Sequence, residues 1–407
     1  MMLTQKQQTG RNKALMSLTF LLPGDACSGG VRVTMQMANM LLKRGHTVRI
    51  AYRRWPVFSS DRMLSFARSV KLACCGISET SWINEFVGAK EAFLNLSDLR
   101  FKNDEIVIAV GNDAIEELQA LPANVIKVRY CHGLVEQGRE QIQRVWGGQM
   151  RTIVVSPKLA TTLTEYCETP ILGIVPNGIS PEEYFVENRD RNGIGFIFHG
   201  SPLKGSEITT DLVNALHDRF PEAPLHVFGT FPKPQALASY EYTRYPSVEK
   251  ARDIYNRCKI WLITSRDEGF CLPILEAMAC GCGVISSKHI NSAGLIEDGM
   301  NGFIVPYGDI PGYLRISEQL LSDESLRGNI VKNGFNTVRR FTWESAASSM
   351  EHALERAISM EGVHAMPRVS RSAITSLDEN SNSADRFVNP DSGNYEWQAC
   401  DFGEGDE

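Results

Sequence analysis

The chain has 407 residues, 43% of them hydrophobic and 22% charged, with a net charge of −6. A single core stops growing at roughly 250–300 residues, so this length implies two domains. No stretch approaches the ~20 consecutive apolar residues a spanning helix needs, and no nucleic-acid partner is expected of an acidic chain. The charge is uneven: residues 1–172 carry +6, residues 173–360 carry −5 and residues 361–407 carry −7. The positive first part fits an anionic partner, such as a membrane surface touched peripherally or a lipid-phosphate acceptor, and it fits an ordinary solvated surface as well. The ten cysteines form no pair of CxxC motifs and no zinc spacing, and read as buried reduced thiols of a cytoplasmic protein.

In chain order, LMSLTFLL ends in PGD without a small-residue cleavage site. It therefore reads as a first buried strand over 17–22 and not as an export signal. A turn, PGDACSGG, leads into the helix VRVTMQMANMLLKRG, where Val33, Met37, Met40 and Leu41 recur at helical spacing and Gly45 sits as a C-cap. Strands are predicted at 47–52, 105–110, 125–130 and 152–156. Continuous β-branched runs of this kind fit strands buried on both faces of a parallel sheet. Their alternation with helices implies a doubly wound α/β domain.

The segment GIVPNGISPEEYF (173–185) reads as a linker, after which the pattern repeats. Strands are predicted at 193–200, 225–229, 260–264, 283–287 and 302–306, with helices near 205–219, 248–258 and 273–280, two further helical segments and a final helix over 341–358. The expected organisation is a Rossmann-like domain over 1–172, a linker over 173–190, a second Rossmann-like domain over 191–340 and a terminal helix over 341–360. The acidic tail 361–407, rich in Ser, Asn, Asp and Gly, reads as disordered, with Tyr395, Trp397 and Phe402 as candidates for a short docking motif.

The chemistry concentrates after the strand IWLIT. A polar loop, SRDEGF, follows it, and Pro273 then stands where the first turn of a helix tolerates proline. Ligands in open α/β sheets bind outside the carboxyl ends of the strands, where this loop lies. A helix N-terminus there offers backbone N–H groups and the positive end of a dipole to an anion. Glu268 in the loop and Glu276 one turn into the helix can accept hydrogen bonds from sugar hydroxyls. Two acids beside an anion site suit a ligand that carries both phosphates and hydroxyls.

The string EGFCLPILEAMACGCGVI (268–285) resembles the signature of the retaining GT-B glycosyltransferases of family 4, two glutamates separated by seven residues within EGF-x-LP-x-LEAMA-x-G. The resemblance covers roughly 17–360 and is strongest over 193–306. It implies an α/β, GT-B fold of two Rossmann-like doubly wound domains facing across a cleft, with the acceptor on the first and the nucleotide-sugar donor on the second. It implies that Glu276 binds the ribose hydroxyls and that Glu268 holds the transferred sugar. The backbone of Gly269, Phe270, Cys271 and Leu272 would contact sugar and diphosphate. Lys204, in FHGSPLKG, matches the lysine that neutralises the diphosphate. The family's arginine a few residues earlier is replaced by Ser201, a departure that weakens diphosphate binding, shifts the task to Arg266 or marks a divergent subfamily.

Other segments fall in the family's register. Gly29 and Gly30, in SGG, match a glycine pair that lets the backbone approach a phosphate or the acceptor, although a plain tight turn would look the same. His132, in CHG, matches a histidine that faces the donor sugar; a lone histidine is otherwise more often structural. Val248 occupies the place whose backbone meets the nucleobase, and Asn177 and Gly178 match an interdomain turn and are assigned to hinge geometry. The implied activity is transfer of a sugar from a nucleotide-diphosphate donor to an acceptor hydroxyl with retention, Glu268, His132 and Lys204 forming the catalytic set. No cofactor and no metal are expected. The implied partners are a nucleotide sugar and an acceptor glycan, glycolipid or glycoprotein, in surface polysaccharide or glycoconjugate synthesis. Two alternatives stay open: a non-catalytic GT-B-like binding subunit, favoured by Ser201 and the acidic tail, and a sugar-nucleotide epimerase of the same fold.

Overall fold

The computed structural model describes residues 14–24, 28–53, 81–134, 138–187, 190–288 and 293–360. The acidic tail 361–407 with Tyr395, Trp397 and Phe402 lies outside the described residues, as do Cys27, Cys74, Cys75 and Cys400. The six described cysteines carry no disulfide, and Cys131, Cys258, Cys271, Cys280 and Cys282 are buried.

Two sheets carry the fold. The first holds β1 (Ser17–Leu22), β2 (Thr47–Arg53), β3 (Ala89–Phe93), β4 (Ile106–Val110), β5 (Ile126–Cys131), β6 (Arg151–Val154) and β7 (Ile171–Ile174), in the order β3-β2-β1-β4-β5-β6-β7. Within it β1 pairs in parallel with β2 and β4, β2 with β3, and β6 with β7. The second holds β8 (Gly193–Phe198), β9 (Leu225–Gly229), β10 (Glu241–Arg244), β11 (Cys258–Ile263), β12 (Gly283–Ser287) and β13 (Phe303–Val305), in the order β10-β9-β8-β11-β12-β13. All its pairings are parallel. Strand order reverses between β8 and β11, the switch point at which an open α/β sheet binds its ligand.

The helices follow the apolar periodicity. In α1 (Gly29–Lys43) Ser28 caps the start by accepting from the Val31 N–H at 3.3 Å, and Val33, Met37 and Leu41 are buried while Met40 is half-buried. The first sheet also carries α2 (Asn112–Leu118), α3 (Arg139–Trp146) and α4 (Pro157–Thr164). The second carries α5 (Thr209–Arg219), α6 (Val248–Arg257), α7 (Leu272–Ala279), α8 (Ile310–Ser322) and α9 (Glu324–Val338), and a final helix is α10 (Trp343–Ser359). Its core packs Ile194, Phe196, Val227, Ile260 and Leu262 from the strands against Leu212 and Leu216 of α5 and Tyr313 and Leu320 of α8. Among the described residues no helix is long and apolar enough to cross a membrane.

Three local differences from the sequence reading have physical causes. The helix near 205–219 starts only at Thr209, after two short 3-10 turns, Pro202–Lys204 and Ser206–Ile208. Between them Gly205 adopts φ +85°, and a Cβ there would meet the Thr264 backbone, so the chain breaks where β8 hands over to the helix. The linker segment begins inside β7, which takes up Gly173 and Ile174. The compact units divide within β5, as Met1–Val128 and Arg129–Glu407. In the second unit α10 packs on β7, and Ile179 bridges Thr342, so the last strands of the first sheet group with the second sheet.

Candidate functional site

The carboxyl ends of β8 and β11 deliver two loops that are tied together. The N–H groups of Arg266 and Asp267 donate to the Leu203 carbonyl at 2.6 and 3.3 Å. Ser201 caps the turn Pro202–Lys204, its hydroxyl accepting from the Leu203 N–H at 3.3 Å. Where the resemblance leads one to expect an arginine, the serine therefore shapes the turn that presents Lys204.

Lys204 Nζ stands 2.5 Å from Glu268 Oε2, with both side chains largely buried. Ser265 donates to the other carboxylate oxygen at 3.0 Å, and Ser287 donates to the Ser265 carbonyl at 2.6 Å. Burial lowers the Lys204 pKa, but the carboxylates of Glu268 and Asp267 outweigh it and the net shift is upward. Lys204 is thus a fixed cation held over a fixed acid.

Cys271 leads from this loop into α7 with φ 68°, a left-handed conformation uncommon for a residue with a Cβ. Its side chain makes no capping bond, and Pro273 lies in the first turn. The leading N–H groups of such a helix have no intrahelical acceptor and sit at the positive end of its dipole. Phe270 anchors the turn by packing edge-on against Phe341, ring centroids 5.9 Å apart. Farther along α7, Glu276 is only 8% exposed and accepts from the Tyr255 hydroxyl at 2.8 Å.

His132 follows β5 in the same compact unit as α7. Its ring lies 4.1 Å from that of Tyr130, and its Nε2 is shielded from solvent with no hydrogen-bond partner among the described residues. Burial pushes its pKa down to about 3, so the ring is neutral near pH 7. The His132 backbone presses on Gly269: a Cβ on Gly269 would overlap the His132 carbonyl oxygen and lie 2.7 Å from its carbon. Lys158 of α4 forms an ion pair with Asp267 of the same loop. Lys204, Glu268, Gly269 and His132 thus gather around one loop, with Phe270 and Cys271 leading into α7, which carries Leu272 and Glu276.

The other candidates make contacts of their own. Val248 opens α6, behind the cap formed by Ser247. Gly29 and Gly30 open α1 in the first unit. The Arg266 guanidinium lies over the Tyr307 ring at 5.9 Å, and Tyr307 donates to Glu207 at 2.7 Å. Asn177 is buried, and Gly178 is pinned against the Trp343 backbone. Sequence reasoning missed Ser265 and Tyr255, the groups that hold the two acids. For Tyr255 a signal existed: a tyrosine on the apolar face of α6 must find a partner for its hydroxyl.

Residues 186–337 match the family model of glycosyl transferases group 1. This stretch is similar to the glycosyl transferases of group 1. It contains the second sheet from β8 to β13 and every residue of the Lys204–Glu268–Glu276 arrangement. The chain is 23% identical over 249 residues to an uncharacterized glycosyltransferase of Methanocaldococcus jannaschii, covering 60% of this chain and 66% of that protein. It is 28% identical over 162 residues to a D-inositol 3-phosphate glycosyltransferase of Xylanimonas cellulosilytica, covering 36% of this chain and 38% of the relative. The matches thus span less than two thirds of these relatives' lengths. In fold the chain resembles sucrose-phosphate synthase from Thermosynechococcus elongatus, with a TM-score of 0.64 at 16% identity over 85% of this chain and all of the other. It also resembles Anabaena HepE in complex with UDP and glucose, with a TM-score of 0.62 at 16% identity over 84% and 99% of the two chains. The two parallel-sheet α/β domains are those of the GT-B fold.

Proposed function

We propose that the chain is a glycosyltransferase that moves a sugar from a nucleotide-diphosphate donor to an acceptor hydroxyl with retention of anomeric configuration. The observation that carries this reading is the Lys204–Glu268 ion pair beside the N-terminus of α7, with Glu276 buried on that same helix. The donor diphosphate would lie against the leading amides of α7, within reach of Lys204 where it is held over Glu268. As the bond to the anomeric carbon breaks, negative charge grows on the diphosphate, and fixed N–H dipoles plus one ammonium stabilise it with little reorganisation. Glu268, steadied by Ser265, then accepts from hydroxyls of the transferred sugar. Glu276 accepts from the ribose, and neutral His132 faces the transferred sugar.

Support for a nucleotide-sugar donor comes from the site's chemistry and from the ligands of HepE, whose structures hold UDP, UDP with glucose, or UDP-glucose. Retention, independence of metal, and a cytoplasmic role in surface polysaccharide or glycoconjugate synthesis belong to the same proposal. The experiment is donor consumption by wild type and Glu268→Ala with UDP-, GDP- and dTDP-sugars, with and without acceptor extracts. Wild type should consume one donor in an acceptor-dependent way, and Glu268→Ala should lose about 10²-fold or more. Turnover unchanged by the substitution would refute the assigned site. Acceptor-free conversion of the donor would instead indicate an epimerase.

A further inference from the structure

The aromatic cluster behind α7 is built around one hydroxyl. Tyr255 of α6 is fully buried, its ring 4.2 Å from Trp261, 5.6 Å from Phe228 and 6.1 Å from Tyr184 by centroids. Rings so enclosed do not change rotamer without disturbing three neighbours, which sets the hydroxyl in one place. That hydroxyl donates to Glu276 Oε2 at 2.8 Å. Burial first, and then the carboxylate beside it, push the Tyr255 phenol well above its ordinary range, so it remains a donor at any working pH.

A carboxylate that is 8% exposed needs donors to stay ionised and oriented. A phenol has one proton to give, and a carboxylate accepts about four hydrogen bonds. The bond from Tyr255 therefore helps to orient the carboxylate without exhausting its acceptor capacity. Holding the acid in its bound geometry beforehand removes a rotamer cost that the ligand would otherwise meet.

We infer that Tyr255 is a positioning residue for recognition of the donor's ribose, setting the Glu276 carboxylate so that the site distinguishes a ribonucleotide from its 2′-deoxy counterpart. This rests on the reading of Glu276 as the ribose ligand. A role in packing alone would weaken binding of both nucleotides alike, so discrimination between them is the readout that separates the two.

The experiment is calorimetric titration of the full chain with UDP and 2′-deoxy-UDP, and with GDP and 2′-deoxy-GDP if the guanine pair is the one that binds. The variants are Tyr255→Phe, Glu276→Ala and Phe228→Leu. Wild type should prefer the ribonucleotide by about 10-fold or more, and Tyr255→Phe should weaken it by about 5- to 10-fold while changing the 2′-deoxy form by less than about 2-fold. Phe228→Leu loosens the same packing without removing the hydroxyl, and should lower the melting temperature while keeping the wild-type preference. Equal weakening of both ligands by Tyr255→Phe, or a preference lost in Phe228→Leu as well, would overturn the inference. If Glu276→Ala abolishes the preference and Tyr255→Phe keeps it, Tyr255 fails alone. If Glu276→Ala keeps it, or neither nucleotide binds, the ribose reading of Glu276 fails and the inference falls with it.

Discussion

Replacing Gly269 by alanine tests how tightly the loop before α7 is held. The added Cβ would overlap the His132 carbonyl oxygen, lie 2.7 Å from the His132 carbonyl carbon and 3.0 Å from Gly133 Cα. Ordinary carbon–carbon contacts are about 3.6 Å, so these atoms must part by about 0.9 and about 0.6 Å. Every atom met is backbone, and no side chain can swing away. The loop must therefore move by about 1 Å at the residue next to Glu268. Overpacking of this kind costs about 1–3 kcal/mol, and a 1 Å misplacement of a reacting constellation costs about 10²-fold in rate. The assays are urea unfolding and kcat/KM for whichever nucleotide sugar the wild type consumes. Gly328→Ala is the control: nothing lies within 4 Å of its Cβ, and in the body of α9 it should add about 0.5–1 kcal/mol of stability with unchanged kcat/KM. A Gly269→Ala protein with wild-type kcat/KM would refute the claim that this contact positions Glu268.

Lys204→Met should lower kcat/KM by about 10²- to 10³-fold, measured in the same assay, because a fixed cation is lost where diphosphate charge develops. His132 has its folded pKa at about 3 against an ordinary value of about 6.5, so as pH falls below 6.5 the unfolded chain takes a proton that the folded chain refuses. Stability should fall over that window, by up to about 2 kcal/mol at pH 5, and urea midpoints of His132→Gln should be flatter between pH 7 and pH 5. The fully buried Arg129 donates to Thr152 Oγ1 at 3.0 Å and to the carbonyls of Val145, Gly147 and Met150 at 3.0–3.1 Å. Arg129→Ala leaves these acceptors unpaired and should cost about 3–5 kcal/mol by the same denaturation measurement.

The central strands were legible because burial on both faces writes itself as an unbroken apolar run, as in Ile106–Val110 and in the IWLI that ends Cys258–Ile263. Two edge strands carry no such mark. Ala89–Phe93 and Glu241–Arg244 are mostly exposed or half-buried and read as polar connections. Ile171–Ile174 went unread because Gly173 and the following proline look like the start of a linker. In the site, the acids and the lysine were legible from the long string 268–285 and from FHGSPLKG. Their supports were not, since Ser265 and Tyr255 matter only through contacts that the fold creates between distant segments. The pressure of His132 on Gly269 joins residues 137 positions apart, beyond the reach of any local pattern.

Thermal unfolding of wild type, Lys204→Met and Glu276→Ala with UDP-, GDP- and dTDP-sugars tests most directly whether the switch-point loops hold a nucleotide diphosphate. One donor should stabilise the wild type, by about 2.7 kcal/mol at a hundredfold excess over Kd, and each substitution should remove most of that gain. Failure of every nucleotide sugar to stabilise the wild type, or a gain that survives in both variants, would contradict the account.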